Sequence, residues 1–139
     1  MSWLIFVLYA VTQNAFACSC VSWDAYLPAN STLVQELFST PKLTIVHGKT
    51  KQASYGGQIE LVTIRHFYGV RLDKIAPAYG PPCGTSFDAN EEKIFIATDG
   101  VVSMCGKMPP TAKHLRAMEK HVRKYERAVE RKSSLVPNE

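Results

Sequence analysis

The sequence predicts a mainly β domain, a small barrel or sandwich, stapled by disulfides and followed by a C-terminal amphipathic helix. Three observations predict it: short β-rich segments separated by turn residues, four cysteines, and one long helical stripe of apolar side chains near the C-terminus. Strands of this length and spacing are typical of small all-β domains. No helical segment alternates with the strand segments, which argues against a parallel βαβ architecture.

The strand segments are rich in β-branched and aromatic residues and lie at residues 43–49, 58–68, 70–75, 93–98 and 101–105. Gly48 predicts a bulge or bend, residues 54–57 (Ser-Tyr-Gly-Gly) predict a turn, and Asp99-Gly100 predicts a hairpin. Pro77 and the Gly-Pro-Pro at 80–82 are expected to end the third strand, because proline cannot donate a hydrogen bond to a strand ladder. A short helix is expected at residues 32–38.

The C-terminal helix is predicted from apolar residues that recur at spacings of 3, 4, 3 and 4. Thr111 follows two prolines and is a suitable N-cap, so the helix is expected over 111–132, packed on or extending from the barrel. Residues 133–139 are expected to be a flexible tail. The apolar stripe consists of Leu115, Met118, Val122, Tyr125 and Val129.

The first 17 residues predict a signal peptide. An apolar run at 4–11 precedes Ala15-Phe16-Ala17, the small-x-small pattern that signal peptidase recognises, although no Lys or Arg precedes the run. The run is too short to span a bilayer, so the mature protein is expected to have no transmembrane segment. Cleavage before Cys18 leaves 122 residues, enough for one domain. The expected location is therefore secreted or periplasmic.

All four cysteines, Cys18, Cys20, Cys83 and Cys105, lie in the predicted mature part. An even count in an exported chain predicts two disulfides, with three possible pairings. A Cys18–Cys20 bridge would close a very tight ring, so pairings with the distant cysteines are favoured. Each such bridge stabilises the fold by about 4 kcal/mol on chain-entropy arithmetic. A zinc site is the weaker interpretation, because the C-x-C spacing lacks the C-x2-C pairs of structural zinc motifs.

Several of these features occur together in one known family. Cys18-Ser19-Cys20 at the mature N-terminus, Cys83-Gly84-x-x-Phe87, Cys105 and the segment Ile45-Val46-His47-Gly48-Lys49 resemble the netrin-like domain of tissue inhibitors of metalloproteinases. The resemblance implies a five-stranded OB-fold-like barrel over residues 18–110. It also implies the pairings Cys18–Cys83 and Cys20–Cys105.

The chain departs from the vertebrate inhibitors in two respects. Their third disulfide in this domain and their second disulfide-rich domain have no counterpart here, so the chain resembles the minimal, single-domain version found in bacteria. A turn glycine that often follows the Phe is replaced by Asp88-Ala89-Asn90, although Asn tolerates the same left-handed conformation.

The resemblance implies a mechanism that needs no cofactor and holds a metal only in trans. The α-amino nitrogen and carbonyl oxygen of Cys18 would chelate the catalytic zinc of a target metalloprotease and displace its bound water. Ser19 would enter the specificity pocket beside the zinc, and Val21 and Ser22 would continue the wedge behind Cys20. The loop before Cys83, which contains Pro82, would lie alongside.

Two alternatives compete for the same cysteines. Cys18 and Cys20 can simply anchor the N-terminus of a non-inhibitory interaction or structural module of the cell envelope. Cys18 can also be the acylated residue of a lipoprotein, which would block both the thiol and the amine. Ala15-Phe16-Ala17 is a poor lipoprotein signal, because Leu is usual where Ala15 stands and Phe16 is bulky.

The positive charge lies mainly in the C-terminal helix, where residues 111–132 hold eight Lys or Arg and three Glu. This basic helix would suit an anionic surface, or its charges are a solvated face that includes a Glu119–Arg123 pair. Nucleic acid is not expected as a partner of an exported chain. Catalysis is not expected either, because the four histidines are scattered and no nucleophile, P-loop, HExxH or CxxC motif occurs.

Overall fold

The predicted strand segments pair edge to edge into one sheet that closes on itself. The computed structural model describes residues 19–28, 31–79 and 84–135, so the predictions for residues 1–18, 80–83 and 136–139 fall outside the described ranges. In chain order the described elements are a 3-10 helix Trp23–Tyr26, α1 Thr32–Ser39, β1 Leu43–Thr50, β2 Ile59–Tyr68, β3 Lys74–Pro77, β4 Glu92–Thr98, β5 Val101–Met108 and α2 Ala112–Ser134.

The five described strands form a ring in the order β1-β2-β3-β5-β4. β1 lies between β2 and β4 and is antiparallel to both. β2 with β3 and β4 with β5 are also antiparallel pairs. The parallel pairing of β3 with β5 completes the ring, joining Ala76 to Val101 and Pro77 to Val102. The prediction of a mainly β fold with a C-terminal helix is confirmed.

Apolar side chains fill two separate layers. One layer fills the inside of the ring and takes residues from every strand: Val46, Ile59, Leu61, Ile75, Phe87, Phe95, Ala97 and Val102. The second lies outside the ring, under α1 and α2: Val34, Phe38, Leu43, Ile45, Phe67, Ile94, Met108, Met118 and Val122. β1 and β4 contribute to both layers, which explains why adjacent residues are both apolar at Ile45-Val46 and at Ile94-Phe95.

The turn predictions are confirmed by backbone geometry. Asp99 and Gly100 both have positive φ, 52° and 80°, as a two-residue hairpin turn that matches the strand twist requires. Asn90 adopts the left-handed conformation expected of it, with φ 59°. The register of β1 against β2 shifts between His47 and Gly48, at the predicted bulge. In the 54–57 turn, the Ser54 hydroxyl donates to the Gly57 carbonyl oxygen at 2.7 Å.

Gly69 stands where β2 ends against β1. Its φ is +84°, and a Cβ at this position would lie 2.0 Å from the Leu43 carbonyl oxygen. We expect Gly69→Ala to lower the free energy of unfolding by more than about 2 kcal/mol, since it adds a backbone clash to the left-handed strain. Urea unfolding followed by circular dichroism measures the loss.

Gly100→Ala is the matched control for that substitution. Gly100 has nearly the same φ, +80°, but a Cβ there meets nothing within 4 Å. The control should cost about 1 kcal/mol, from conformational strain alone. Equal losses in the two variants would contradict the close approach of Leu43 to Gly69.

The third strand was predicted wrongly. It runs over Lys74–Pro77 and not over 70–75, and Val70 is exposed. β3 does end at Pro77, as predicted. Pro77 is tolerated there because its neighbours supply the donors to β5: the Ala76 amide bonds Gly100 O at 2.9 Å and the Ala78 amide bonds Val102 O at 2.8 Å. Pairing with β2 stops at Ile75, so no strand needs a donor at position 77.

The C-terminal helix is confirmed, with two corrections. It ends at Ser134, two residues beyond the predicted Lys132, and Thr111 caps its start by accepting a hydrogen bond from the His114 amide at 3.2 Å. Met118 and Val122 of the predicted stripe are buried, but Val129 is 47% exposed. The helix therefore packs on the ring through its first half and extends from it through its second half.

Candidate functional site

One disulfide attaches the N-terminal segment to the outside of the ring. Cys20 is bonded to Cys105 of β5, 85 residues further along the chain, as the resemblance implies. Cys105 lies on the outer side of β5, beside Trp23 and Tyr26 of the outer apolar layer. Ser19, Cys20, Val21 and Ser22 are all exposed. The first described residues therefore lie open on the surface while being covalently fixed to the sheet.

The described residues on either side of positions 80–83 lie close to each other beside β5. β3 and β5 are parallel, and the Ala78 amide donates to Val102 O, so Ala78 extends the alignment with β5 beyond Pro77 toward Cys105. Thr85 lies next to Ala78, because its amide donates to Ala78 O at 3.0 Å. Tyr79 lies in the loop after β3 and is 87% exposed.

The β1–β2 turn reaches this loop. A Cβ at Gly56 would lie 3.2 Å from Cδ2 of Tyr79, so the tyrosine ring packs directly over the glycine. Ser54 and Phe87 exchange backbone hydrogen bonds of 2.9 and 2.8 Å, which hold the turn against the segment after Cys83. Tyr55 at the tip of the turn is 80% exposed. We define the candidate site as residues 19–22, the 54–57 turn and the loop residues 78–79 and 84–85.

An ion pair braces the chain just behind the loop. Lys107 of β5 binds Glu91 at 3.0 Å, and both side chains are largely buried. Lys107 also donates to the Ser86 carbonyl oxygen, and Glu91 accepts from the Asp88 amide at 3.1 Å. The segment that follows Cys83 is therefore fixed by charge-assisted hydrogen bonds. The sequence gives no signal for this pair, because its members are 16 residues apart and Glu91 lies in the turn that precedes β4.

A second attachment holds the N-terminal segment on α2. Nε2 of His121 donates to the carbonyl oxygen of Tyr26, at the end of the 3-10 helix. Asp24 forms a 3.2 Å ion pair with Lys113. Nε2 of His114 is buried 3.7 Å from Asp24 Oδ1 and has no hydrogen-bond partner among the described residues. The two histidines, treated as scattered in the sequence, thus lie together against the 3-10 helix.

The 3-10 helix also contributes aromatic packing. Trp23 and Tyr26 contact each other with ring centroids 5.3 Å apart and pack against the outer apolar layer. Ser22 begins this helix, and its Oγ accepts from the Asp24 amide at 3.4 Å. Ser22 therefore has a capping contact in addition to the binding role predicted for it. The sequence Ser-Trp-Asp-Ala-Tyr at 22–26, in which a capping serine precedes the helical residues, is the signal that could have indicated the 3-10 helix.

Trp23 gives a direct report on this attachment. It is the only tryptophan of the predicted mature chain, since the other is Trp3. We expect His121→Ala to shift Trp23 emission to longer wavelength and to cost about 1–2 kcal/mol, because the Tyr26 carbonyl loses its donor and the packing loosens. Fluorescence with acrylamide quenching measures the change. Glu130→Ala, at an exposed position of α2, is the control, and an equal shift there would contradict the attachment.

Displaced pKa values occur outside the candidate site. A hydrogen bond from Lys51 and its charge lower the pKa of Glu60. Burial, and then the neighbouring Tyr125, raise the pKa of Tyr68. Tyr68 lies in the outer layer, where Phe38 stacks on Tyr125 at 4.7 Å. Tyr68 and Tyr125 therefore belong to the packing of the helices on the ring, whereas Glu60 is an exposed residue of β2 paired with Lys51.

The predicted site residues divide into two groups. Ser19, Cys20, Val21 and Ser22 are described and lie together on the surface, whereas Cys18, Pro82 and Cys83 lie outside the described residues. Sequence reasoning missed Tyr55 and the contacts of His114 and His121. Within residues 19–28, 31–79 and 84–135, no group of three or more His, Cys, Asp or Glu is arranged to hold a metal ion.

Comparison with known proteins adds no further assignment. No protein family, curated protein or solved structure gives a significant match to the chain. None of the described helices combines the length and the apolar character needed to cross a lipid bilayer.

Proposed function

We propose that this chain is an exported, disulfide-bonded binding protein of the netrin-like type that inhibits a zinc metalloprotease through Cys18. The observation that carries the proposal is the Cys20–Cys105 disulfide, which holds an exposed N-terminal segment on the outer face of β5. A free N-terminus two residues before such an anchor is in a position to enter a protein cleft. The netrin-like motif Cys18-Ser19-Cys20 supports the same conclusion.

The strand arrangement supports an OB-type fold for this domain. The ring order β1-β2-β3-β5-β4, with antiparallel neighbours except for the parallel β3–β5 pair, is the arrangement expected of a five-stranded OB barrel. Loops between strands of such barrels commonly carry the binding site. The candidate site fits this rule, because two of its three segments are the β1–β2 turn and the loop after β3.

The proposed chemistry follows from the first mature residue. An α-amino group titrates near about pH 7.7–8, so a substantial neutral fraction is available as a nitrogen ligand at neutral pH. With the carbonyl oxygen of Cys18 it would form a five-membered chelate on the open coordination position of the protease zinc. Ser19 would then enter the adjacent specificity pocket, with Val21 following it along the cleft.

The rest of the fold holds the N-terminal segment in place before it binds. The disulfide fixes Cys20, and the His121 bond to Tyr26 holds the next helix on α2. A segment that is already ordered loses less conformational entropy when it binds, so more of the contact energy appears as affinity. Tyr55 and Tyr79 would contact the rim of the protease cleft, since exposed tyrosines are enriched at protein interfaces.

The experiment compares two exported proteins that differ by one residue. The first has the natural sequence, and the second has one alanine inserted between Ala17 and Cys18. Phe16 would stand three residues before a cut after the inserted alanine, so cleavage after Ala17 is favoured and the alanine remains on the protein. Each is tested against a panel of purified zinc metalloproteases with a fluorogenic peptide substrate, after mass spectrometry confirms both N-termini.

We expect the natural protein to inhibit at least one protease and the extended protein to be weaker by at least about 100-fold, because the amine leaves the zinc. Equal inhibition by the two proteins would contradict the chelation. No inhibition across the panel would favour the alternative of a non-inhibitory interaction module.

A further inference from the structure

The exposed side of α2 carries a row of cations. Positions 116, 120, 123, 127 and 131 are spaced by 4, 3, 4 and 4 residues, so they fall on one face of the helix. All five side chains are exposed. Four are arginine and one is lysine. We call this row the basic stripe: Arg116, Lys120, Arg123, Arg127 and Arg131.

The stripe faces away from the ring. The buried residues of α2 are His114, Met118, His121 and Val122. At 100° per residue, the stripe lies on the opposite side of the helix from this buried face. It spans 15 residues, or about 22 Å, and continues unbroken from the packed half of α2 onto the half that extends from the ring. Its charges are therefore all accessible along one straight line.

An acidic row runs beside the stripe. Glu119, Glu126 and Glu130 lie along the neighbouring face of α2. Glu119 is already engaged, by Arg123 at 2.6 Å and by Arg65 of β2 at 2.9 Å. A flat anionic surface pressed on α2 would meet the acidic row as well as the stripe and be repelled by it. A narrow, linear polyanion aligned with the stripe avoids the glutamates.

The side-chain chemistry restricts the anion further. Guanidinium groups bind tetrahedral oxyanions through paired hydrogen bonds, which makes arginine more suitable than lysine for sulfate and phosphate groups. Neighbouring members of the stripe are about 5–6 Å apart, so a chain that carries a charge on most of its units can engage several of them together. We infer that the basic stripe of α2 binds a linear anionic polysaccharide bearing sulfate or phosphate esters.

The test measures binding of a fluorescently labelled heparin oligosaccharide to the mature protein by anisotropy, at several salt concentrations. The stripe variant carries three glutamine substitutions, which keep the helix propensity high. The control variant also removes three positive charges, but from exposed positions in the sheet region. The stripe variant is Arg116→Gln, Lys120→Gln and Arg127→Gln, and the control is Lys49→Gln, Arg71→Gln and Lys74→Gln.

We expect the natural protein to bind heparin with an affinity that falls as salt screens the charges. The stripe variant should bind at least about tenfold more weakly, and the control variant within about twofold of the natural protein. Equal losses in both variants would show attraction by net charge alone and overturn the inference. Tighter binding of the natural protein to phosphatidylglycerol vesicles than to heparin would also overturn it, in favour of a membrane. Neither outcome bears on the proposed protease inhibition, because that proposal depends on Cys18 and this one depends on the basic stripe.

Discussion

Replacing Cys20 and Cys105 together by serine is expected to lower the free energy of unfolding by about 2–4 kcal/mol. The disulfide closes a chain segment with 85 residues between its ends, so its loss gives the unfolded chain much more conformational freedom. Chemical denaturation of the natural and double-serine proteins under identical, non-reducing conditions measures the difference. Ser103→Ala, at an exposed position on the same strand, is the control and should change stability by less than about 0.5 kcal/mol.

The same double variant should inhibit the protease more weakly at a temperature where it is still fully folded, with only the predicted Cys18–Cys83 bridge left to hold the N-terminal segment. Without the bond, Cys20 no longer fixes the segment that begins at Ser19, and binding must then order it. Inhibition by the folded double variant as strong as that of the natural protein would contradict the role given to this disulfide. A stability loss no larger than that of the Ser103→Ala control would contradict its contribution to the fold.

Truncating Phe95 should have a comparably large effect on stability. Phe95 is fully buried inside the ring and meets Phe87 edge to face, with ring centroids 5.7 Å apart. We expect Phe95→Ala to lower the free energy of unfolding by about 3–5 kcal/mol, since it leaves a cavity lined by residues from several strands. Thermal and urea unfolding measure the loss.

Ile64→Ala is the matched control for the Phe95 substitution. Ile64 also lies on a strand but is 52% exposed, so its truncation should cost less than about 1 kcal/mol. Similar losses in the two variants would contradict a packed interior for the ring. The comparison therefore tests the closed arrangement of the strands independently of the proposed function.

Local chemistry explains which parts of the fold the sequence predicts well. Asp99-Gly100 is a hairpin because two adjacent residues tolerate positive φ, and this property does not depend on distant contacts. Thr111 caps α2 for a similarly local reason. The bulge at Gly48 was predicted from the glycine itself, and the paired strand explains it, since a Cβ there would lie 2.9 Å from the Val62 carbonyl oxygen.

Long-range packing explains the errors. The third strand is displaced because its pairing partners, Gly100 and Val102, are remote in sequence and set which residues join the ladder. The apolar stripe of α2 predicted Val129 as buried, but the ring ends before it, and His114 and His121 are buried in its place. Buried histidines are hard to predict because their partners, here the 3-10 helix, come from a segment with no clear pattern.

The sequence predicted one part of the candidate site, the disulfide, and missed another part, the contact between its two loops. Cys20–Cys105 followed from the family resemblance, and the structure confirms it. The contact of Tyr79 with Gly56 could not be predicted, since it joins two loops whose approach is set by the strand order of the ring.

The proposed inhibition requires a free α-amino group on Cys18 at the N-terminus of the exported protein. The intact and peptide-mapped mass of the protein purified from the exported fraction tests this requirement. We expect a protein that begins at Cys18 with a free amine and contains Cys18–Cys83 and Cys20–Cys105 bridges. An acylated Cys18, a different pairing of Cys18, or uncleaved residues before it would remove the chelating amine and contradict the proposed inhibition.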